Sequence, residues 1–351
     1  MTAPSDASVT TPQPQESWLR GLLGLAVLVL LLGGAYLWAS TQVYTPAAQV
    51  KQHLQALSAG QLERALELAP QHTATAAGNI IGDATVAAAP NRYQNPQITA
   101  VAISGDTAKV TATVQHQGQT KTLEYEVVRD KQPVAGIFDN WIIPRFEYPV
   151  VEFVAPASAS LFEVNGQQID LAASGNLPSD INEEATVRFV VAPGDYTFKP
   201  LARTEFVTVS GQQSFSFDGA RMVLDAAASE PFAVAVTEAG QGEIHRLANA
   251  QIDACIAQPL SVPEGCAFEA WTYVAYTDGK WTLQSYPELV IDTQRTTFGG
   301  GGDSGQGQAG SAIFDFKYTD GNPGSREVKV YGDGYYTILP DHTLQIAFNR
   351  S

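Results

Sequence analysis

The sequence predicts an α+β protein carried on a single transmembrane helix. Three observations predict it: one uninterrupted apolar run near the N-terminus, apolar residues at helical spacing just after that run and again around residue 244, and period-two alternation broken by turn residues through most of the rest.

A chain of 351 residues exceeds one ordinary core, and its composition divides it into a polar tail (1–17), a transmembrane helix (18–39) and three further modules at 45–146, 147–230 and 231–351. The tail, rich in Pro, Ser and Thr without apolar periodicity, is expected to be disordered and cytoplasmic. The formal charge is −16, and all but one unit of it falls after the apolar run. That sign argues against nucleic acid as a partner, because phosphate binding relies on clustered Lys and Arg and the sequence has no such cluster.

The apolar run reads LLGLAVLVLLLGGAYLWA up to Ala39, with no ionisable residue after Arg20. About 19 residues at 1.5 Å rise cross a hydrocarbon core of about 30 Å. Trp18 precedes the run, and Tyr36, Trp38 and Tyr44 cluster at its far end, as aromatic rings do at the two headgroup levels. A cleaved signal peptide is the competing reading, but the run is long for one and the exit WASTQ lacks a small-x-small cleavage site. The lipid bilayer is thus an expected partner. Arg20 on one side against a first basic residue at Lys51 on the other gives a slight positive-inside bias toward a cytoplasmic N-terminus, which does not by itself fix the direction; that rests mainly on the cysteines.

Cys255 and Cys266 are the only cysteines, with Pro259, Pro263 and Gly265 between them. The pair reads as a local disulfide, which an oxidising compartment allows and which supports extracytoplasmic placement of everything after Ala39. Two unpaired buried thiols are the alternative. A zinc site would lack two of its four ligands.

After the membrane run, Thr45-Pro46 has the form of an N-cap followed by proline at the first helical position, with Ala47, Val50, Leu54 and Leu57 on one face and Gly60 as the stop. A second short helix comes next with Leu62, Ala65, Leu66 and Ala69 before Pro70. Beyond a small-residue stretch come QITAVAISG, DTAKVTATVQHQG, TKTLEYEVVRD and, past a loop, FDNWIIP, which read as antiparallel strands. On TPAAQVKQHLQALSAGQLERALELAP and the terminal NWIIP with Trp141, this module resembles the NTF2-like (cystatin-like) domains of membrane-anchored envelope proteins of Gram-positive, actinobacterial-type bacteria. The resemblance implies a fold and a setting but no activity, since such folds host enzymes, pockets and dimerisation modules alike.

From residue 147 to 230, VEFVAP, SLFEVNGQQIDL, TVRFVVAPGDYTFKP and EFVTVSGQQSFSFD predict a small β-sandwich, with Asn165-Gly166 as a hairpin turn. The VNGQ hairpin followed by APGDYTF is similar to PEGA-type β-modules, which serve as spacers or adhesive units. The last module opens with a helix whose stripe is Ile244, Leu247, Ala248, Ile252 and Cys255. A sheet built from FEAWTYVAYTDGKWTLQSYPELVID, SAIFDFKYTDG, REVKVYGDG and YYTILPDHTLQIAFN completes it. Helix-then-sheet order suggests a second NTF2-like domain, with a separate α+β module as the alternative.

Several strings invite a catalytic reading. GDSG at Gly302 to Gly305 resembles the nucleophile loop of chymotrypsin-like proteases, but the base and acid of a triad are missing and His72 does not stand in a TAAHC context. Gly305, Gly307 and Gly310 form a GxGxxG without the helix that a dinucleotide site requires. The Gly-rich loop at 299–310 is read instead as a mobile connection between strands. His53, His72, His116, His245 and His342 lack ligand spacing and are expected to be solvated or capping residues. Glu67 and the pair Glu183-Glu184 read as ordinary surface carboxylates, and Asp278-Gly279 and Asp333-Gly334 as hairpin turns rather than calcium loops. The aromatic residues Trp271, Tyr273, Tyr276, Trp281, Tyr286, Tyr331, Tyr335 and Tyr336 crowd the last module; they are read mainly as sheet core, with an exposed ligand or glycan platform as the alternative.

No catalytic, cofactor or metal residues are assigned from the sequence. The expected function is that of a non-enzymatic cell-envelope protein presenting interaction domains on the outer side of the plasma membrane to an envelope protein or cell-wall partner. A module binding a small molecule or wall fragment in an NTF2-like pocket is the second reading, and an unrecognised hydrolase the third.

Overall fold

A computed structural model describes residues 17–70, 79–156, 159–171, 184–302 and 305–349. The protein is of mixed α+β type with sheet predominant, and it forms two compact units: 1–72 with 93–147, and 73–92 with 148–351. The expected tail lies outside the described residues except for Ser17, which opens the first helix.

That helix, Ser17–Trp38, is followed by a π-helical turn, Ala39–Val43. It is long and apolar enough to cross a bilayer, a property that a signal sequence shares, and its apolar side chains from Leu22 to Trp38 are exposed in the protein itself. The next helix, Pro46–Ala59, is bounded as its sequence dictates. The Thr45 hydroxyl accepts from the Ala48 amide at 3.1 Å, and Gly60 ends the helix with φ 77°, a left-handed conformation that glycine adopts without a Cβ clash. Val50, Leu54 and Leu57 on its inner stripe are fully buried, and a short helix, Leu62–Leu68, adds Leu62 and Ala65.

The helix Pro46–Ala59, with Leu62–Leu68 packed against it, covers one face of a four-stranded antiparallel meander, Gln94–Ser104, Thr107–His116, Gln119–Val134 and Phe138–Ile142, paired in sequence order. Strand Thr107–His116 shows why: Ala108, Val110, Ala112, Val114 and His116 point inward at period two while their neighbours do not. The segment 131–137, expected as a loop, is mostly strand. The third strand runs on to Val134 and turns tightly through Ala135 and Gly136, both at positive φ. Pro133 and an irregular register between Asp130 and Val134 disguise this arm in the sequence.

The segment 79–92, expected inside the first module, belongs to the second unit. Asn79–Ile80 pairs in parallel with the strand Glu184–Val190, and the Arg92 guanidinium donates to the carbonyls of Val86, Ala87 and Ala89 at the end of the short helix Asp83–Ala88. Its small residues carry no periodicity that could have announced this.

Two sheets form the middle of the second unit. The strand Val150–Pro156 pairs with Glu184–Val190, and a larger sheet orders Met222–Leu224, Val207–Phe217, Tyr196–Pro200, Leu161–Val164 and Gln167–Asp170. Phe153 and Phe189 of the first sheet pack against Phe162, Phe198 and Phe215 of the second at centroid distances of 4.8–6.2 Å. Asn165-Gly166 makes the expected hairpin turn, both residues at positive φ.

The strand Val207–Phe217 also pairs with Glu230–Val236, which leads directly into the helix Glu238–Ile256. The stripe of that helix divides between two cores. Ile244 and Ala248 meet Phe298, Tyr336 and Leu344 on a four-stranded sheet, whereas Ile252 and Cys255 meet Trp281, Phe314 and Phe316 on a three-stranded one. The single sheet expected here is therefore two. Asp333-Gly334 is not a hairpin turn, because Gly334–Ile338 and the preceding strand Pro323–Val330 lie in different sheets. Asp278-Gly279 is not one either: it forms a bulge inside the strand Tyr276–Ser285, with Asp278 at φ 56°.

A partly buried polar node ties the middle sheets to the last strands. Arg203 donates its backbone N–H to His342 Nδ1 at 2.8 Å and its side chain to Ser160 Oγ at 3.1 Å, and it pairs with Asp170 at 2.5 Å. Ser160 in turn donates to the carbonyl of Pro340.

Candidate interaction surface

The most site-like feature comes directly after the helix Glu238–Ile256. The sequence FEAWTYVA, expected as a strand, is instead the second half of a loop over 257–275. Five constraints hold that loop against the last core. Cys255 and Cys266 are disulfide-bonded with Cα atoms 5.9 Å apart, and Cys255 is buried in the core. Within the loop, Ala270 N donates to the Ser261 carbonyl at 2.7 Å, and Glu264 N to Gln258 Oε1 at 2.8 Å. From the sheet below, Trp281 Nε1 donates to the Leu260 carbonyl at 2.8 Å, and the Tyr276 hydroxyl accepts from Ser261 N at 2.6 Å.

Gly279 allows the loop to lie that close. A Cβ there would stand 2.6 Å from the Pro259 carbonyl oxygen and 2.7 Å from Phe314 Cζ. The bulge at Asp278 and Gly279 thus opens the strand to receive the loop.

This scaffold sorts the aromatic residues that the sequence could not. Trp281 and Tyr336 are buried and Tyr276 packs against the core, as the sheet-core reading expects. Trp271 is 59% exposed and Tyr273 90% exposed, and the same loop presents Leu260, Val262 and Val274 to solvent. The Trp271 indole N–H is held by Glu269. A loop fixed by a disulfide and main-chain hydrogen bonds, yet exposing two large aromatic rings, is pre-organised for contact: little ordering entropy remains to be lost when a partner covers it.

The other sequence candidates fall elsewhere. Asp303, Ser304, His72 and Glu183 lie outside the described residues. At Gly301 and Gly307 the described part of 299–310 packs closely against backbone, whereas Gly305 stands in open space. A Cβ on Gly301 would stand 2.1 Å from Ala309 N, and one on Gly307 would stand 2.0 Å from the Glu288 carbonyl oxygen. Gly300 N donates to the buried Asp333 carboxylate at 2.8 Å. Gly310 opens a strand, not a helix, so this GxGxxG lacks the helix N-terminus that holds a pyrophosphate. Glu67 pairs with Arg64 at 2.6 Å on an exposed helix face.

His53, His116 and His342 are buried, which corrects their reading as solvated or capping residues. His53 Nδ1 lies 3.2 Å from the Tyr125 hydroxyl, and burial pushes its pKa down to about 3, so the ring is neutral. Among the described residues no group of three or more His, Cys, Asp or Glu is arranged to hold a metal ion.

Two clefts among the described residues are largely open to solvent. One of about 460 Å³ is lined by residues including Thr45, Lys51, Gln52 and Ile98 of the first unit. Another of about 400 Å³ lies over Glu163, Thr197, Lys199 and Ser214 in the second. There the hydroxyls of Thr197 and Ser214 bond each other at 3.0 Å, rather than either one meeting a base that could activate it.

No family model, curated protein or solved structure matches the chain.

Proposed function

We propose that this chain is a non-enzymatic, membrane-anchored protein of the bacterial cell envelope, and that the loop at 257–275 docks a protein or wall-polymer partner outside the cytoplasm. The pre-organised exposure of Trp271 and Tyr273 carries this reading, because large rings held in water by a rigid frame act as anchors in recognition. The apolar helix supports anchoring, and the disulfide supports an oxidising compartment for the second unit.

The order helix, helix, four-stranded meander supports the NTF2-like reading of the first unit. Its sheet face under Pro46–Ala59 carries the buried side chains Val110, Val114, Tyr125 and Trp141, packing that favours a scaffold over a binding cone or a hydrolase. The helix Glu238–Ile256 running into sheets is the basis for a second such domain.

A photo-crosslinking residue in place of Tyr273, in intact membranes, is expected to capture one reproducible envelope component, and Trp271→Ala is expected to reduce that capture about tenfold, as loss of an aromatic anchor does. Capture unchanged by Trp271→Ala would overturn the assignment of the loop. Digestion of intact cells tests topology separately: protection of everything after Ala39 would reverse it.

A further inference from the structure

The strand Gln119–Val134 outruns its neighbour. Its last partner in the strand Thr107–His116 is Val128, opposite Thr107, and beyond that point residues 129–134 project together with Phe138–Ile142 as a two-stranded arm. Measured along its second strand, from Ile142 opposite Val128 to Phe138, the arm extends roughly 13 Å at about 3.3 Å per residue, the extra residues between Asp130 and Val134 being taken up by a bulge. Its tip, from Pro133 to Phe138, carries no charge, and Ile137 there is 60% exposed.

The tip lies against the end of the membrane helix. Phe138 stacks on Tyr44 at 4.3 Å and on Tyr36 at 5.3 Å between ring centroids. Tyr36 is part of the apolar helix, which passes through the turn Ala39–Val43 to the Thr45 cap of the next helix with no linker between. If hydrocarbon begins just after Arg20, Tyr36 stands about 24 Å along a core of about 30 Å, a few ångströms inside its far boundary. A ring stacked on Tyr36 is then held at that boundary, and the exposed Ile137 is its neighbour in the chain. Leu37 and Trp38 are exposed at this level too.

We propose that the tip of this arm is a second membrane contact, with Ile137 and Phe138 seated in the headgroup layer beside the anchor, so that the first unit is held in a fixed attitude to the bilayer. The inference rests on the reading of the apolar helix as a retained anchor. The occupant is lipid: an uncharged apolar tip adjoining a spanning helix is continuous with the lipid-facing surface of that helix, and such side chains partition into the interface.

The test uses the full chain, disulfide intact, in phosphatidylcholine nanodiscs, with an environment-sensitive fluorophore on a single added cysteine at Ile137→Cys, Gln119→Cys or Leu30→Cys. Gln119 is exposed at the opposite end of the sheet, and Leu30 lies mid-helix. The label at 137 is expected to be quenched by headgroup and shallow-chain spin-labelled lipids roughly twofold more than the label at 119, as befits an interfacial side chain. Phe138→Ser in the same background should return it to the level at 119. The label at 30 reports the anchor: strong quenching there by deep-chain lipids, with 137 behaving like 119, overturns the second contact alone. Absence of quenching at 30 overturns the anchor and this inference with it. Emission at 137 that is shielded from water but not quenched by lipid marks a protein contact, a second copy or another partner, and refutes the lipid assignment.

Discussion

Acidification tests the interior of the first unit through His53. The ring is fully buried on the helix Pro46–Ala59, 3.2 Å from the Tyr125 hydroxyl and edge-on to Phe146 at 4.6 Å. Burial disfavours the imidazolium and lowers the pKa from 6.5 to about 3. The folded pKa is thus below the unfolded one, and between these values the unfolded chain binds the extra proton. Stability contributed by the neutral ring is complete above pH 6.5 and declines as pH falls toward 3. At pH 5, still above the range where most carboxylates titrate, the loss is about 2 kcal/mol, or roughly a 30-fold fall in protection against opening. Amide hydrogen exchange of residues 46–59, corrected for the intrinsic rate at each pH, measures it. His53→Leu removes the titrating group and is expected to flatten the profile between pH 7 and pH 5. Equal losses of protection in the variant and the natural chain would refute the reasoning, since the proton would then be taken up elsewhere.

Three further outcomes concern the second unit. Reducing the Cys255–Cys266 bridge should destabilise the last core by about 3 kcal/mol in the chain-entropy model, seen as a lowered urea midpoint in Trp281 fluorescence with and without reductant. Gly279→Ala should cost about 1–3 kcal/mol by overpacking against Pro259 and Phe314 and should lift the loop, read as new proteolytic cleavage between 257 and 275 with the disulfide intact. Arg203→Met should cost about 1–2 kcal/mol, discounted because Asp170 is more than a third exposed, and the effect should be non-additive with Asp170→Asn in a double-mutant cycle of unfolding midpoints.

Much of the local structure was legible in the residues. Thr45-Pro46 and Gly60 bound their helix because a hydroxyl cap, a fixed φ and a left-handed glycine act within a few bonds. The alternation in Thr107–His116 and the turn at Asn165-Gly166 are equally local. The arm past Val128 was hidden because Pro133 and a register irregularity break the period just where the strand continues. The loop at 257–275 was hidden because FEAWTYVA has the aromatic and β-branched content of a strand, while its Ala270 amide donates to the Ser261 carbonyl within the loop.

Periodicity, caps and charge thus determined that this protein has an apolar helix near its N-terminus, that sheet predominates in the chain beyond it, and that its net charge is strongly negative; each is a property of composition or of residues a few positions apart. Tertiary structure alone decided which aromatic rings reach solvent, that three of the described histidines are buried, and that residues 79–92 belong to the second unit. Those outcomes depend on which distant segments desolvate one another: Trp271 and Trp281 are alike as residues, and only the packing of the helix Glu238–Ile256 against its sheets leaves one exposed and buries the other.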